Sequence, residues 1–146
     1  MIKATLTALA LTVAATGITA TANTASAQDA IQIAATTTNA SGEFERRSKR
    51  LQGDWEVVQR GEKTFIVFSD DFRAARGPDL KIFLSPTAYD DVTGNTATAG
   101  SINIGKLQAT RGGQEYEIPA SVNLADFQSV LVHCEEFAVL WGGSDL

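Results

Sequence analysis

The sequence is poor in the side chains from which metal, cofactor and disulfide sites are assembled: one cysteine (Cys134), one histidine (His133) and one methionine (Met1) in 146 residues. A lone cysteine excludes an internal disulfide. It leaves four possibilities: a buried inert thiol, a reactive thiol, a cofactor ligand or an intermolecular cross-link. One His and one Cys do not supply the four N/S ligands of a closed zinc site. There is no C-x-x-C pair, no H-E-x-x-H and no Gly-rich phosphate loop, and the C-x-x-C-H attachment signature of a c-type haem is absent. Positive charge is also scarce, with 12 Lys and Arg against 17 Asp and Glu, for a net charge of −5. An acidic domain is a poor partner for nucleic acid or anionic lipid, which need a basic patch. The one basic cluster, Glu45-Arg46-Arg47-Ser48-Lys49-Arg50, reads as a solvated approach to the first strand. The pairs Asp70-Asp71 and Asp90-Asp91, with Asp79, lack EF-hand spacing and read as turn-capping aspartates, so no metal site is expected.

Only the N-terminus carries a sustained apolar run. Lys3 is followed by apolar residues from Ala4 to about Ala20, then by the small-residue site Ala25-Ser26-Ala27. This is the pattern of a cleaved signal peptide over residues 1–27, implying a secreted or periplasmic protein with no membrane span in the mature chain. Cleavage after Ala27 leaves 119 residues, with 11 basic side chains against 17 acidic ones, or −6. It also removes Met1, so no methionine remains to ligate haem or copper. Residues 28–42 are Ala/Thr-rich and read as a flexible leader, and 43–146 as one domain.

The domain reads as about seven short strands. Leu51–Val58 alternates, with Leu51, Gly53, Trp55 and Val57 on one face and Gln52, Asp54 and Glu56 on the other. Arg60-Gly61 turns it into Lys63–Phe68, whose Phe65-Ile66-Val67-Phe68 run is apolar on both faces, as in a central strand. Leu80–Leu84 follows the breaker Gly77-Pro78. Polar residues Thr87–Gly100 read as an exposed loop. Ser101–Thr110 and Gln114–Ile118 read as a hairpin across Arg111-Gly112-Gly113, stopped by Pro119. The last pair, Val130–Cys134 and Phe137–Trp141, flanks Glu135-Glu136, with Gly142-Gly143 as its end. Short strands near ten-residue spacing, without helical periodicity, predict an all-β antiparallel sandwich or barrel. Its core is expected to hold Phe65, Val67, Leu80, Ile82, Leu84, Val130 and Val132.

His133-Cys134 sits in the last pair. Neighbours on a strand point to opposite faces, so these two do not form a base–nucleophile couple or a shared metal site unless a bulge intervenes. Cys134 shares a face with Val130 and Val132, and His133 with Leu131. Reactivity requires thiolate, which Glu135 and Glu136 oppose. Two features can offset them: backbone N–H groups at the Glu135 turn, or Arg73 and Arg76 in a loop brought beside Cys134.

Three blocks resemble the DM13 family of extracytoplasmic domains. The first is Asp71-Phe72 followed by Gly77-Pro78-Asp79-Leu80-Lys81-Ile82-Phe83-Leu84-Ser85. The second runs from Leu107 to Pro119 and includes Tyr116. The third runs from Val130 through Phe137 to Gly142. The resemblance covers Leu51 to the C-terminus. It departs at Trp141-Gly142-Gly143-Ser144-Asp145, where Phe-Gly and a small apolar residue are expected. The family is proposed to transfer electrons through its cysteine, as a bare thiol or as the ligand of a group such as haem, a role that falls on Cys134 here. The resemblance thus implies a redox carrier working with another extracytoplasmic redox or surface protein, rather than a stand-alone enzyme. The rival reading is a binding module without chemistry, in which Cys134 is structural and loops such as Thr87–Gly100 meet a ligand.

Overall fold

A computed structural model describes residues 37–146. The segment read as a signal peptide, and the leader up to residue 36, lie outside the described residues. Eleven strands are present: β1 (Thr37–Glu43), β2 (Glu45–Arg46), β3 (Leu51–Gln52), β4 (Asp54–Arg60), β5 (Lys63–Phe68), β6 (Arg73–Ala74), β7 (Leu80–Ser85), β8 (Ile102–Lys106), β9 (Gln114–Ile118), β10 (Ser129–Cys134) and β11 (Val139–Asp145). They form a four-stranded sheet in the order β1-β4-β5-β9, a five-stranded sheet in the order β2-β11-β10-β7-β8, and the short pair β3-β6. All pairings are antiparallel, and neither main sheet closes into a barrel. The architecture is an all-β sandwich.

The inner faces of the two sheets make the main core. Trp55, Val57, Ile66, Phe68 and Tyr116 come from the first; Leu80, Ile82, Leu84, Val130, Val132, Cys134 and Trp141 come from the second. Period-two alternation builds this face from Leu51 to Val57 as the sequence predicts. On β5 the inward residues are Ile66 and Phe68, not the expected Phe65 and Val67, which are half-buried on the outer face. An all-apolar run does not reveal which parity faces inward; that is fixed by the β4 register, where Val57 lies opposite Ile66.

Gly53 breaks the first predicted strand in two. Its φ is +108°, and a Cβ there would lie 2.6 Å from Phe72 Cα, so only glycine allows the chain to leave β6 and join β5. The first strand, β1, begins inside the stretch read as leader and pairs with β4. The predicted Ser101–Gly113–Ile118 hairpin does not form. Instead β8 pairs with β7 in one sheet and β9 with β5 in the other, so residues 107–113 cross between layers. Leu107 N donates to Leu80 O, and Ala74 N donates to Thr110 O, tying that crossing to the larger sheet and to the short β3-β6 pair.

Residues 87–100 are likewise not an exposed loop throughout. Tyr89, Val92 and Ala97 are buried with Phe83, Leu131 and Leu140 in a second cluster on the outer face of the larger sheet. Tyr89 is fixed by Asp145 Oδ1, which accepts from its N–H at 2.7 Å, and by the Arg47 guanidinium 4.4 Å from its ring centre. The apolar residues in this segment are spaced irregularly among polar ones, and no strand or helix period exposes them in the sequence.

Tyr116 gives this fold a pH signature. Its hydroxyl donates to Gln114 Oε1 at 2.6 Å and accepts from Gln108 N at 3.0 Å. Burial pushes the phenol up to about 12, only partly offset by the Gln108 N–H. A raised folded-state pKa favours the protonated form, so this stabilisation is intact below the ordinary tyrosine pKa of about 10. It is lost as pH rises towards about 12. In urea titrations across that window, Tyr116→Phe is expected to lose stability less steeply with pH than the wild type; parallel curves would contradict this assignment.

Candidate functional site

Cys134 is the last residue of β10, the strand that lies between β7 and β11. All six β10 residues are buried, and Cys134 is opposite Leu80 on one side and Val139 on the other. Alternation sends Val130, Val132 and Cys134 into the main core and Leu131 and His133 to the opposite face, as the sequence predicts. A bulge does occur here, but in β11: Val132 lies opposite Gly142 and His133 opposite Leu140, leaving Trp141 as the extra residue.

The thiol is fully buried, and Sγ donates to the carbonyl oxygen of Pro78 at 3.0 Å. The S–H is the donor in this bond and the carbonyl the acceptor. The segment 77–79 is therefore the cover of the thiol. It is fastened from two sides. The indole of Trp141 lies against Gly77, where an added Cβ would stand 2.5 Å from Cζ2, and its Nε1 donates to Ala75 O at 3.0 Å. Lys81 bridges Asp79, at 3.1 Å, and Glu135. The Glu135 carboxylate, then Asp79, raises the Lys81 ammonium above its ordinary pKa. Asp79 and Ala138 are the two non-glycine residues with positive φ, +47° and +50°, among the described residues. They flank the strand ends that meet at Cys134.

His133 occupies a different environment. Nε2 and the Gly94 carbonyl are 2.8 Å apart, so Nε2 donates to that carbonyl. Nδ1 is buried without a hydrogen-bond partner among the described residues. The ring lies edge-on to Phe83, with centroids 5.9 Å apart.

Of the residues singled out in the sequence, Gly77, Pro78, Asp79 and Leu80 gather around Cys134. The others are placed elsewhere. Asp71 accepts from Ser69 Oγ in the turn before β6, and Phe72 is buried in an aromatic cluster with Phe44 and Phe68. Tyr116 packs on Phe68, and the carbonyl of Pro119 accepts from Val122 N after β9. Phe137 is 62% exposed in the four-residue turn after Cys134. Gly142 and Gly143 do not end the last strand. They continue it, because a Cβ at Gly142 would lie 2.0 Å from Glu45 O and one at Gly143 2.4 Å from Val130 O.

The loop bearing Arg73 and Arg76 reaches Cys134 through Pro78. Arg73 donates to the Phe72 and Asp70 carbonyls, and Arg76 lines a groove with Arg50 and Arg111. Two contributors were not found from the sequence: the Lys81 clasp and the Gly77–Trp141 contact. Both join residues dozens of positions apart, and only the unexpected tryptophan in the tail pointed to either.

A haem iron does not fit Cys134 in this arrangement. The sulfur is enclosed on the core side, its hydrogen bond is made to Pro78, and His133 faces the other side of the sheet. Among the described residues, no three His, Cys, Asp or Glu side chains come together as a metal-ligand set, and no helix is long and apolar enough to cross a membrane.

A family model described as "Electron transfer DM13" matches residues 43–145, starting eight residues before the resemblance read from the sequence. No curated protein and no solved structure matches the chain. With most of the sandwich, including Cys134 and its Gly77–Asp79 cover, inside the matched span, the chain belongs to the DM13 family of electron-transfer domains.

Proposed function

We propose that this chain is an extracytoplasmic electron-transfer module whose redox group is the Cys134 thiol, kept closed by the Gly77–Asp79 segment and exposed when that segment lifts. The observation that carries this reading is the bond from Sγ to Pro78 O, because it puts a short loop, exposed at Gly77 and Pro78, directly against the thiol. Family membership supports electron transfer as the class of activity. The N-terminal pattern over residues 1–27 supports an extracytoplasmic address.

A single thiol moves an electron pair by exchange with sulfur partners. Once uncovered and deprotonated, Cys134 attacks a disulfide of an acceptor protein. A Cys134–acceptor disulfide forms, and the acceptor's second sulfur leaves as a thiolate that takes up a proton. A thiol of a donor protein then attacks Cys134 Sγ, completing reduction of the acceptor and leaving a Cys134–donor disulfide. The donor's second thiol attacks its own bound sulfur and releases Cys134 as it began. Two electrons and two protons pass from a dithiol to a disulfide.

The test is the iodoacetamide labelling rate of folded protein. Lys81→Met removes the clasp on Asp79 and Glu135 and is expected to raise the rate about fivefold, the upper end for a partly exposed ion pair. Labelling that occurs only on global unfolding, in wild type and variant alike, would discard the thiol mechanism and leave the binding-module reading with a structural cysteine.

A further inference from the structure

We infer that the groove lined by Arg50, Arg76 and Arg111 docks an acidic segment of a partner protein. The groove has a volume of about 520 Å³, and its other lining residues are Ala74, Ala109 and Thr110, so no carboxylate stands in its wall. The ion pairs of the described residues fall on Arg47, Arg60, Lys63 and Lys81 instead. Three arginines thus line one groove, with no carboxylate partner among the described residues, in a chain whose net charge is −5.

The scaffold beneath them is built. Ala75 N donates to Arg50 O at 2.8 Å, Ala74 N donates to Thr110 O at 2.9 Å, and Arg73 bridges Arg111, so three separate segments are locked side by side by backbone bonds. The arginine heads are exposed while their backbones are fixed. Arginine's planar fork, always charged, is suited to carboxylate recognition.

The extent of the surface favours an extended occupant. A second groove shares Ala109 and Thr110 with the first and continues past Gly77 and Pro78 to Lys106. The one carboxylate in its wall, Asp79, is engaged by Lys81. Positive charge therefore recurs along the path at both ends, which matches carboxylates spaced along a chain better than one compact oxyanion. The path crosses the segment over Cys134, so a docked partner stands beside the thiol cover. The docking inference itself rests on charge and shape and does not need the thiol mechanism.

The test titrates the mature protein with a hexaglutamate peptide, with inorganic phosphate and with a hexalysine peptide, by calorimetry at low salt. Hexaglutamate is expected to bind, to weaken as salt rises, and to lose about tenfold in affinity when Arg50, Arg76 and Arg111 are all replaced by glutamine. The three side chains are exposed, so an unchanged melting temperature checks that the variant folds. Absence of hexaglutamate binding, binding indifferent to the triple substitution, or phosphate binding as tight as the peptide would each overturn the inference. Because labelling of Cys134 is measured separately, failure of docking and failure of the thiol mechanism are told apart.

Discussion

Replacing Ile82 by alanine is expected to cost about 2–5 kcal/mol, the range for truncating a fully buried branched side chain. Ile82 is at the centre of β7, opposite Val132 on one side and Gly105 on the other, with 0% exposure. Its side chain points into the same core as Ile66, Phe68 and Cys134. The surrounding strands are hydrogen-bonded on both sides and cannot move into the space left, so the loss includes a cavity as well as transfer free energy. Urea unfolding should show a lower midpoint with an unchanged slope. A loss below about 1 kcal/mol would mean that β7 is not at the centre of the sandwich.

The second large effect is expected at Gly77. Alanine there places a methyl 2.5 Å from Trp141 Cζ2 and 2.8 Å from Cη2. The indole is anchored through Nε1 to Ala75 O and cannot simply rotate away. Either Trp141 is driven from its place or the segment 75–79 lifts; overpacking of this kind costs about 1–3 kcal/mol. Lifting the segment takes Pro78 O from the sulfur. Gly77→Ala should therefore lower stability and raise the alkylation rate of Cys134 by about tenfold, as expected when about 1.4 kcal/mol is removed from a local opening. Labelling that stays at the wild-type rate while stability falls would show that Trp141, and not the thiol cover, absorbs the clash.

What could be read in the sequence follows from the range of each interaction. Alternation within Leu51–Val58, the Arg60-Gly61 turn and the opposite facing of His133 and Cys134 are local properties and were legible. The parity of β5 was not, because Phe65-Ile66-Val67-Phe68 is apolar at every position and register alone decides it. The β8–β9 hairpin failed for a related reason: turn chemistry at Arg111-Gly112-Gly113 is compatible with a hairpin, but pairing partners in two different sheets outcompete it. Glycines misled at the C-terminus. Gly142-Gly143 looks like punctuation, yet it marks where the backbones of β2 and β10 approach too closely for any side chain. At the site, the family resemblance grouped the Gly-Pro-Asp-Leu block with the cysteine, while the Lys81 clasp joining Asp79 to Glu135 exists only in three dimensions.

The two tryptophans divide the molecule between them. Trp55 Nε1 donates to Ser144 Oγ at 2.7 Å, joining the first sheet to the end of the last strand, whereas Trp141 lies on the loop that covers the thiol. Each indole is almost fully buried, so each emits from an apolar setting until its own surroundings open. The protein thereby carries two intrinsic fluorophores that report on separate events. With Trp55 replaced by phenylalanine, the remaining emission follows the cover of Cys134 in real time. With Trp141 replaced, it follows the separation of the two sheets, and the uncovering of the thiol can be timed against unfolding without an added dye.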